Sequence, residues 1–234
     1  MADSHDATGL PSSGPLAPLL RTDARLAVSF LRMFYQNGPW WVVAIHPSPP
    51  PNIPAVTVRK FADSDQLRQY IAAASGTVNL YHIANPHGGG LQKPPHKTEM
   101  IGARCLFADI DLPPDTPNTP ENLNLLLAKV KDLRPPPSPI VFTGNGFHPY
   151  WLFPKVIYTT QEPDIIERTE AVNRAIADDL GSDRTWNINR IMRLPYTINI
   201  PTKIKLERGR TPIETFILPD TVNFDQQDTA GEIY

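Results

Sequence analysis

A single cysteine, Cys105, in 234 residues leaves no partner for an intrachain disulfide and too few thiols for a four-cysteine zinc site. Such sparing use of cysteine fits a reducing compartment, and the chain is read as cytoplasmic. No apolar run approaches the ~20 residues that a membrane span requires. The first twenty residues lack the basic start and apolar centre of a secretory signal. Charge of one sign is lacking too: 22 Lys and Arg stand against 24 Asp and Glu, a net charge of −2 with a pI near 6.3. That balance gives no global electrostatic footprint for nucleic acid, so any such binding must come from local clustering. The 13 glycines have no period, which excludes a collagen-like chain.

Proline is what the chain has in excess. There are 27, more than twice the ~5% of average usage, and they cluster at Pro47 to Pro54 and Pro135 to Pro139. With 41% hydrophobic residues, wholesale disorder is excluded, and stiff, proline-bounded loops between folded elements are expected. Residues 1–22 show no amphipathic period and read as a flexible tail, as do residues 221–234. A domain over 23–220 is expected between them, with an N-terminal α/β unit over about 23–100 and a motif-bearing unit over about 101–220.

In the first unit, Asp23 caps a helix to about Gln36, with Leu26, Phe30, Leu31 and Phe34 on one face. Strands are expected at Trp41–Ile45, Ala55–Arg59 and Val78–Ile83, with a helix over Asp63–Ala74 that stops before Gly76. In the second unit, Arg104 to Asp111 reads as one strand with an acidic end. Thr119-Pro120-Glu121 starts a helix carrying Leu125, Leu126 and Val130. Ile140–Thr143 and Tyr150–Phe153 flank a Gly-Asn-Gly turn and read as a hairpin. Thr160–Leu180 is a helix with Ile165, Val172, Ile176 and Leu180 inward, ended by Gly181. Short strands are expected at Ile191–Leu194, Lys203–Leu206 and Ile213–Leu218. Strands and helices without strict alternation favour an α+β fold over a doubly wound sheet.

Three stretches carry chemistry. In Asp109-Ile-Asp111, residues i and i+2 of a strand share a face, so two carboxylates repel each other unless a divalent cation sits between them; Mg²⁺ or Mn²⁺ suits oxygen donors. Two acids solvating a strand end are the plainer alternative. Thr143-Gly-Asn-Gly-Phe-His148 offers backbone N–H groups at Gly144 and Asn145 to an anion, with His148 following, or is an ordinary hairpin turn. From Arg184 to Arg210, seven Lys or Arg face one acid, Glu207, in a chain that is negative overall. Such a run suits phosphates, or is a solvated basic face. His82, His87 and His96 match no zinc spacing. Trp40-Trp41 reads as core, with Trp40 as a possible base-stacking platform.

Taken in order, these stretches resemble the three motifs of the archaeo-eukaryotic primase superfamily, most closely the primase–polymerase domains of plasmid and phage replication proteins. The resemblance covers roughly residues 100–210: Asp109 and Asp111, then Gly146-Phe147-His148 before Tyr150-Trp151, then Asp183 followed by Arg190, Arg193, Leu194, Pro195, Thr197, Asn199 and Lys203. Two positions depart from the family pattern. Tyr196 stands where glycine is usual, and Asn187 where many relatives carry another acid.

The resemblance implies a modified RRM-like antiparallel sheet with packed helices, plus the N-terminal α/β unit as the other wall of a catalytic cleft. It implies a template-directed nucleotidyltransferase, a DNA primase or polymerase acting on single-stranded DNA and nucleoside triphosphates. Asp109, Asp111 and Asp183 would hold two divalent ions, with Asp178 and Asp179 as the fallback for the third acid. His148, Gly144, Asn145, Arg190, Arg193, Asn199 and Lys203 would contact the nucleotide, with Lys97 a lesser candidate. A replicative helicase would act in trans or from the same parent chain. A primase-like module that only binds nucleic acid or nucleotide, and a metal-dependent nuclease, are the competing readings.

Overall fold

The computed structural model describes residues 20–113, 115–182 and 185–222. The N-terminal helix α1 (Ala24–Phe34) starts where Asp23 accepts hydrogen bonds from the backbone N–H groups of Arg25 and Leu26. Strands β1 (Trp40–Ile45) and β2 (Val56–Phe61) follow, then α2 (Ser64–Ala74), capped by Asp63, and β3 (Asn79–Ile83). The order β2-β1-β3 forms an antiparallel sheet. Its fourth strand, β8 (Ile191–Arg193), comes from far along the chain and pairs with β3 through Tyr81 opposite Arg193.

The second sheet is built on the long strand β7 (Gly146–Tyr158), flanked by β6 (Ile140–Phe142) on one edge and by β4 (Gly102–Phe107) and β5 (Ile110–Asp111) on the other. Strand β11 (Phe216–Ile217) extends it beyond β6. One face packs on α3 (Pro120–Asp132) through Ile110, Phe142, Phe147, Leu123, Leu126, Leu127 and Val130. Against the other, α1 inserts Phe30 and Phe34 beside Tyr150 and His82, in one core that also holds Val42, Leu80, Phe107 and Met192. Both sheets therefore share a core, and α4 (Ile165–Leu180) lies against β4. The fold is α+β with antiparallel sheets, as the lack of strict alternation suggested.

Four differences from the sequence reading have physical causes. The expected strand Arg104–Asp111 is two segments, because Pro149 of β7 stands opposite Ala108 and has no N–H for the ladder. The expected helix from Thr160 begins at Ile165, after a turn that contains Pro163; a residue before proline is biased against helical backbone. On that helix Val172 is exposed, and the buried face is Ile165, Ile166, Thr169, Asn173 and Ala177. The expected strand Lys203–Leu206 is the helix α5 (Lys203–Glu207). Its Lys-Ile-Lys-Leu alternation has period two, but Ile204 and Leu206 have no core to face and are exposed.

Smaller departures follow the same logic. Leu125 points outward from α3. The expected strand Ile213–Leu218 divides at Thr215 into β10 (Ile213–Glu214), which pairs with β9 (Ile198–Asn199), and β11, which pairs with β6.

Candidate active site

The registers of β4 and β5 along β7 are continuous across the proline break: Phe107 faces Tyr150 and Ile110 faces Phe147. Asp109 and His148 are therefore cross-strand neighbours, and side chains so placed meet. His148 Nε2 lies 3.1 Å from Asp109 Oδ1. An ionised carboxylate only accepts, so Nε2 carries the proton and donates it. Alternation survives the break, since Ala108 and Ile110 are buried while Asp109 and Asp111 are half-buried.

Arg190, just before β8, brings its guanidinium to 3.5 Å from the other oxygen of Asp109. Burial pushes the Asp109 carboxyl up, but His148 and Arg190 together outweigh it and bring it down to about 2. Asp111 behaves differently. Burial first, and the Asp109 charge second, push it up, with His148, Lys205 and Arg210 offsetting only part. The Asp111 side chain makes no hydrogen bond or ion pair among the described residues.

The Gly-Asn-Gly turn closes through Thr143 N–H donating to Gly146 O at 3.0 Å. Gly144 has φ 105°, and a Cβ there would collide with Ile213; at Gly146 it would collide with the Ile110 carbonyl across the β5–β7 ladder. The carbonyl of Gly144 accepts from Asn118 Nδ2 at 2.9 Å and that of Asn145 from Leu112 N at 3.0 Å. Their N–H groups make no bond among the described residues. Asn199 Nδ2 donates to Thr143 O at 2.8 Å, tying β9 to the base of the turn.

The remaining cations divide. Arg193 donates to Asn79 Oδ1 at 3.0 Å and Tyr81 Oη at 2.8 Å, and stacks over the Tyr81 ring. Lys97 pairs with Glu170 at 2.7 Å, whose other oxygen accepts from Ile188 N–H. Lys203 is exposed on α5. Asp183 lies outside the described residues, and Asp178 and Asp179 are both exposed on α4. Asn187 is exposed, and its carbonyl accepts from Arg190 N–H at 2.9 Å. Tyr196 adopts φ 61°, the left-handed backbone that glycine tolerates best, while its ring packs against the shared core. Trp40 is buried and donates its indole N–H to Tyr35 O.

Several polar residues behind the carboxylates were not read from the sequence as part of the site. His82 Nε2 lies 3.1 Å from Tyr150 Oη, both fully buried, and burial lowers the imidazole to about 3, so it is neutral. Asn173 Oδ1 accepts from Phe107 N–H at 3.1 Å and Asn85 Oδ1 accepts from Arg104 and Cys105 N–H, fixing β4 just before Asp109.

No protein-family model matches the chain, and no curated protein matches it. Two solved structures are similar. The catalytic domain of primase RepB′, solved in complex with initiator DNA, matches over 81% of this chain and 82% of its own, at 11% identity and TM-score 0.46. The AEP domain of the cyanophage S-2L primase-polymerase (PrimPol) matches over 89% of this chain and 97% of its own, at 15% identity and TM-score 0.52. Two antiparallel sheets around a shared core, with Asp109 and His148 side by side on one of them, thus have the fold of a primase–polymerase AEP domain.

Proposed function

We propose that the chain is a template-directed nucleotidyltransferase that synthesises or extends strands on single-stranded DNA. The observation that carries this reading is the carboxylate pair: Asp109, bound by His148 at 3.1 Å, stands two residues from the unpartnered Asp111 at the edge of a primase-like sheet.

The donors suit a hard divalent cation. Both are carboxylate oxygens, and the mutual repulsion that raises Asp111 is what a cation between them would remove. Asp109 and Asp111, with Asp183 as the third acid, would hold Mg²⁺ or Mn²⁺. Such ions, when bound, supply neutralisation of the triphosphate and activation of the primer hydroxyl.

Phosphoryl transfer asks the protein mainly for positioning and charge. His148 holds one oxygen of Asp109 and so fixes the direction of the other. Arg190, half exposed beside Asp109, presents a guanidinium to a phosphate. The free N–H groups of Gly144 and Asn145 and the ammonium of Lys203 would add donors, and Asn199 keeps the turn in place.

The test is incubation with single-stranded DNA, labelled nucleotides and Mg²⁺ or Mn²⁺, resolved on a gel. Template-dependent elongation is the expected result. Shortened oligonucleotides would replace this reading with a nuclease, and binding without either product would replace it with a non-catalytic module.

A further inference from the structure

The basic run of the sequence does not act as one unit. Arg190 stands at Asp109, and Arg193 is held by Asn79 and Tyr81. Arg184 lies outside the described residues, and the other four cations, Lys203, Lys205, Arg208 and Arg210, all fall between β9 and β10, which pair antiparallel. This arm has a fixed root and a bare tip. At the root, Asn79 donates to Ile200 O at 2.9 Å and accepts from Ile200 N–H at 2.8 Å, while Asn199 holds Thr143. Ile213 fills the space above Gly144.

From residue 202 to 212 every residue is exposed. None of the four cations makes an ion pair among the described residues, and Glu207 is the one acid between β9 and β10. Ile204 and Leu206 are 62% and 46% exposed, although a helix normally turns such side chains inward. Through Ile213 above Gly144 and Asn199 on Thr143, the arm's root abuts the turn whose Gly146 pairs with Asp111, so the arm rises beside the carboxylate pair.

We infer that the β9–α5–β10 arm is a clamp for single-stranded DNA at the mouth of the site, its Lys205, Arg208 and Arg210 on backbone phosphates and its Ile204 and Leu206 against sugars and unstacked bases. Four unpaired cations on eight residues complement a polyanion rather than one small ion. Exposed aliphatic side chains among them find apolar partners on a single strand, whose base faces are open, and not on a duplex exterior. This inference rests on the nucleotidyltransferase reading for its biological sense, but not for its measurement.

The experiment compares the full chain with the triple variant Lys205→Ala, Arg208→Ala, Arg210→Ala by fluorescence anisotropy on a labelled oligothymidylate across a salt series. Losing three phosphate contacts should lower the log–log salt slope by about 2 and weaken binding roughly ten- to a hundredfold near 0.1 M salt. Affinity for a labelled nucleoside triphosphate with Mn²⁺, measured without DNA, should stay within about twofold. The charge-keeping variant Lys205→Arg, Arg208→Lys, Arg210→Lys should bind DNA like the parent, and Ile204→Ser with Leu206→Ser should weaken single strands more than duplex. An unchanged DNA affinity and slope in the alanine variant would overturn the clamp. Equal loss of nucleotide and DNA binding would also overturn it, making the arm a triphosphate grip. A wild-type chain that binds through the arm yet incorporates nothing would remove the polymerase reading and leave the clamp standing.

Discussion

The floor of the site and its rim are built by opposite rules. On the floor, Asp109 is held by two side chains and backed by β4 and by buried polar groups with specific partners, although Nδ1 of both His82 and His148 is buried without one among the described residues. On the rim, the α5 arm holds four cations without an ion pair among the described residues and two exposed aliphatic residues. Asp111 lies on the boundary, half-buried and unpartnered, between its like-charged neighbour and the arm's Lys205 and Arg210. Satisfied groups fix geometry; unsatisfied ones hold free energy in reserve for a ligand.

The largest effect expected from breaking the floor is on chemistry. Asp109→Ala or Asp111→Ala should cut nucleotide incorporation at least on the order of 10²–10³, the scale of losing one preorganised electrostatic group. Near-normal synthesis by the double variant would remove the carboxylate pair from the mechanism.

The buried wall gives the next largest effect, on stability against pH. His82 is lowered to about 3 when folded and returns toward 6.5 when unfolded, so the unfolded chain binds the extra proton between those values. Its contribution is complete above pH ~6.5 and falls as pH drops toward 3, by up to about 1.4 kcal/mol per pH unit. Denaturant unfolding of wild type and His82→Gln from pH 7 to pH 4.5 should show the gap between them narrowing as pH falls. A constant gap would mean that His82 is reached by solvent.

Neutralising the two acids should then move stability in opposite directions. Without divalent ions, Asp109→Asn gives up charge-assisted bonds to His148 and Arg190 and should lose about 1–3 kcal/mol. Asp111→Asn removes a repelled, partly buried charge and should gain up to about 1 kcal/mol. Thermal melts in EDTA check both, and shifts of the same sign would erase the distinction between floor and boundary. The smallest effect belongs to the rim: Lys205→Ala or Arg208→Ala alone should shift stability by less than about 0.5 kcal/mol.

How much of this was legible in the sequence follows from where each signal resides. Asp63, Thr119 and Gly181 marked helix ends because capping is local, readable within four residues. Asp109 and His148 stood out because their surroundings form a recognisable pattern, and the structure places them in contact. Asn173 did not stand out and His82 was weighed only as a metal ligand, because the role of each is defined by a partner 66 or 68 residues away. The arm was misread for a related reason. Period-two alternation specifies a strand only when a core receives one face of it, and among the described residues Ile204 and Leu206 have none to face.

The pairing of β8 with β3 has a consequence in time. Tyr81 and Arg193 are 112 residues apart, and the first sheet is finished only when they meet. At roughly 5–20 residues per second of synthesis, that edge stays open for roughly 6–20 s while a nascent chain is made. Closing so long a loop late also slows refolding from denaturant. A chain cut between the two halves would leave β3 with a bare edge and would separate Leu80 from Phe107 and Met192, with which it shares a core. Neither fragment should therefore persist alone, whereas the two expressed together should recover each other.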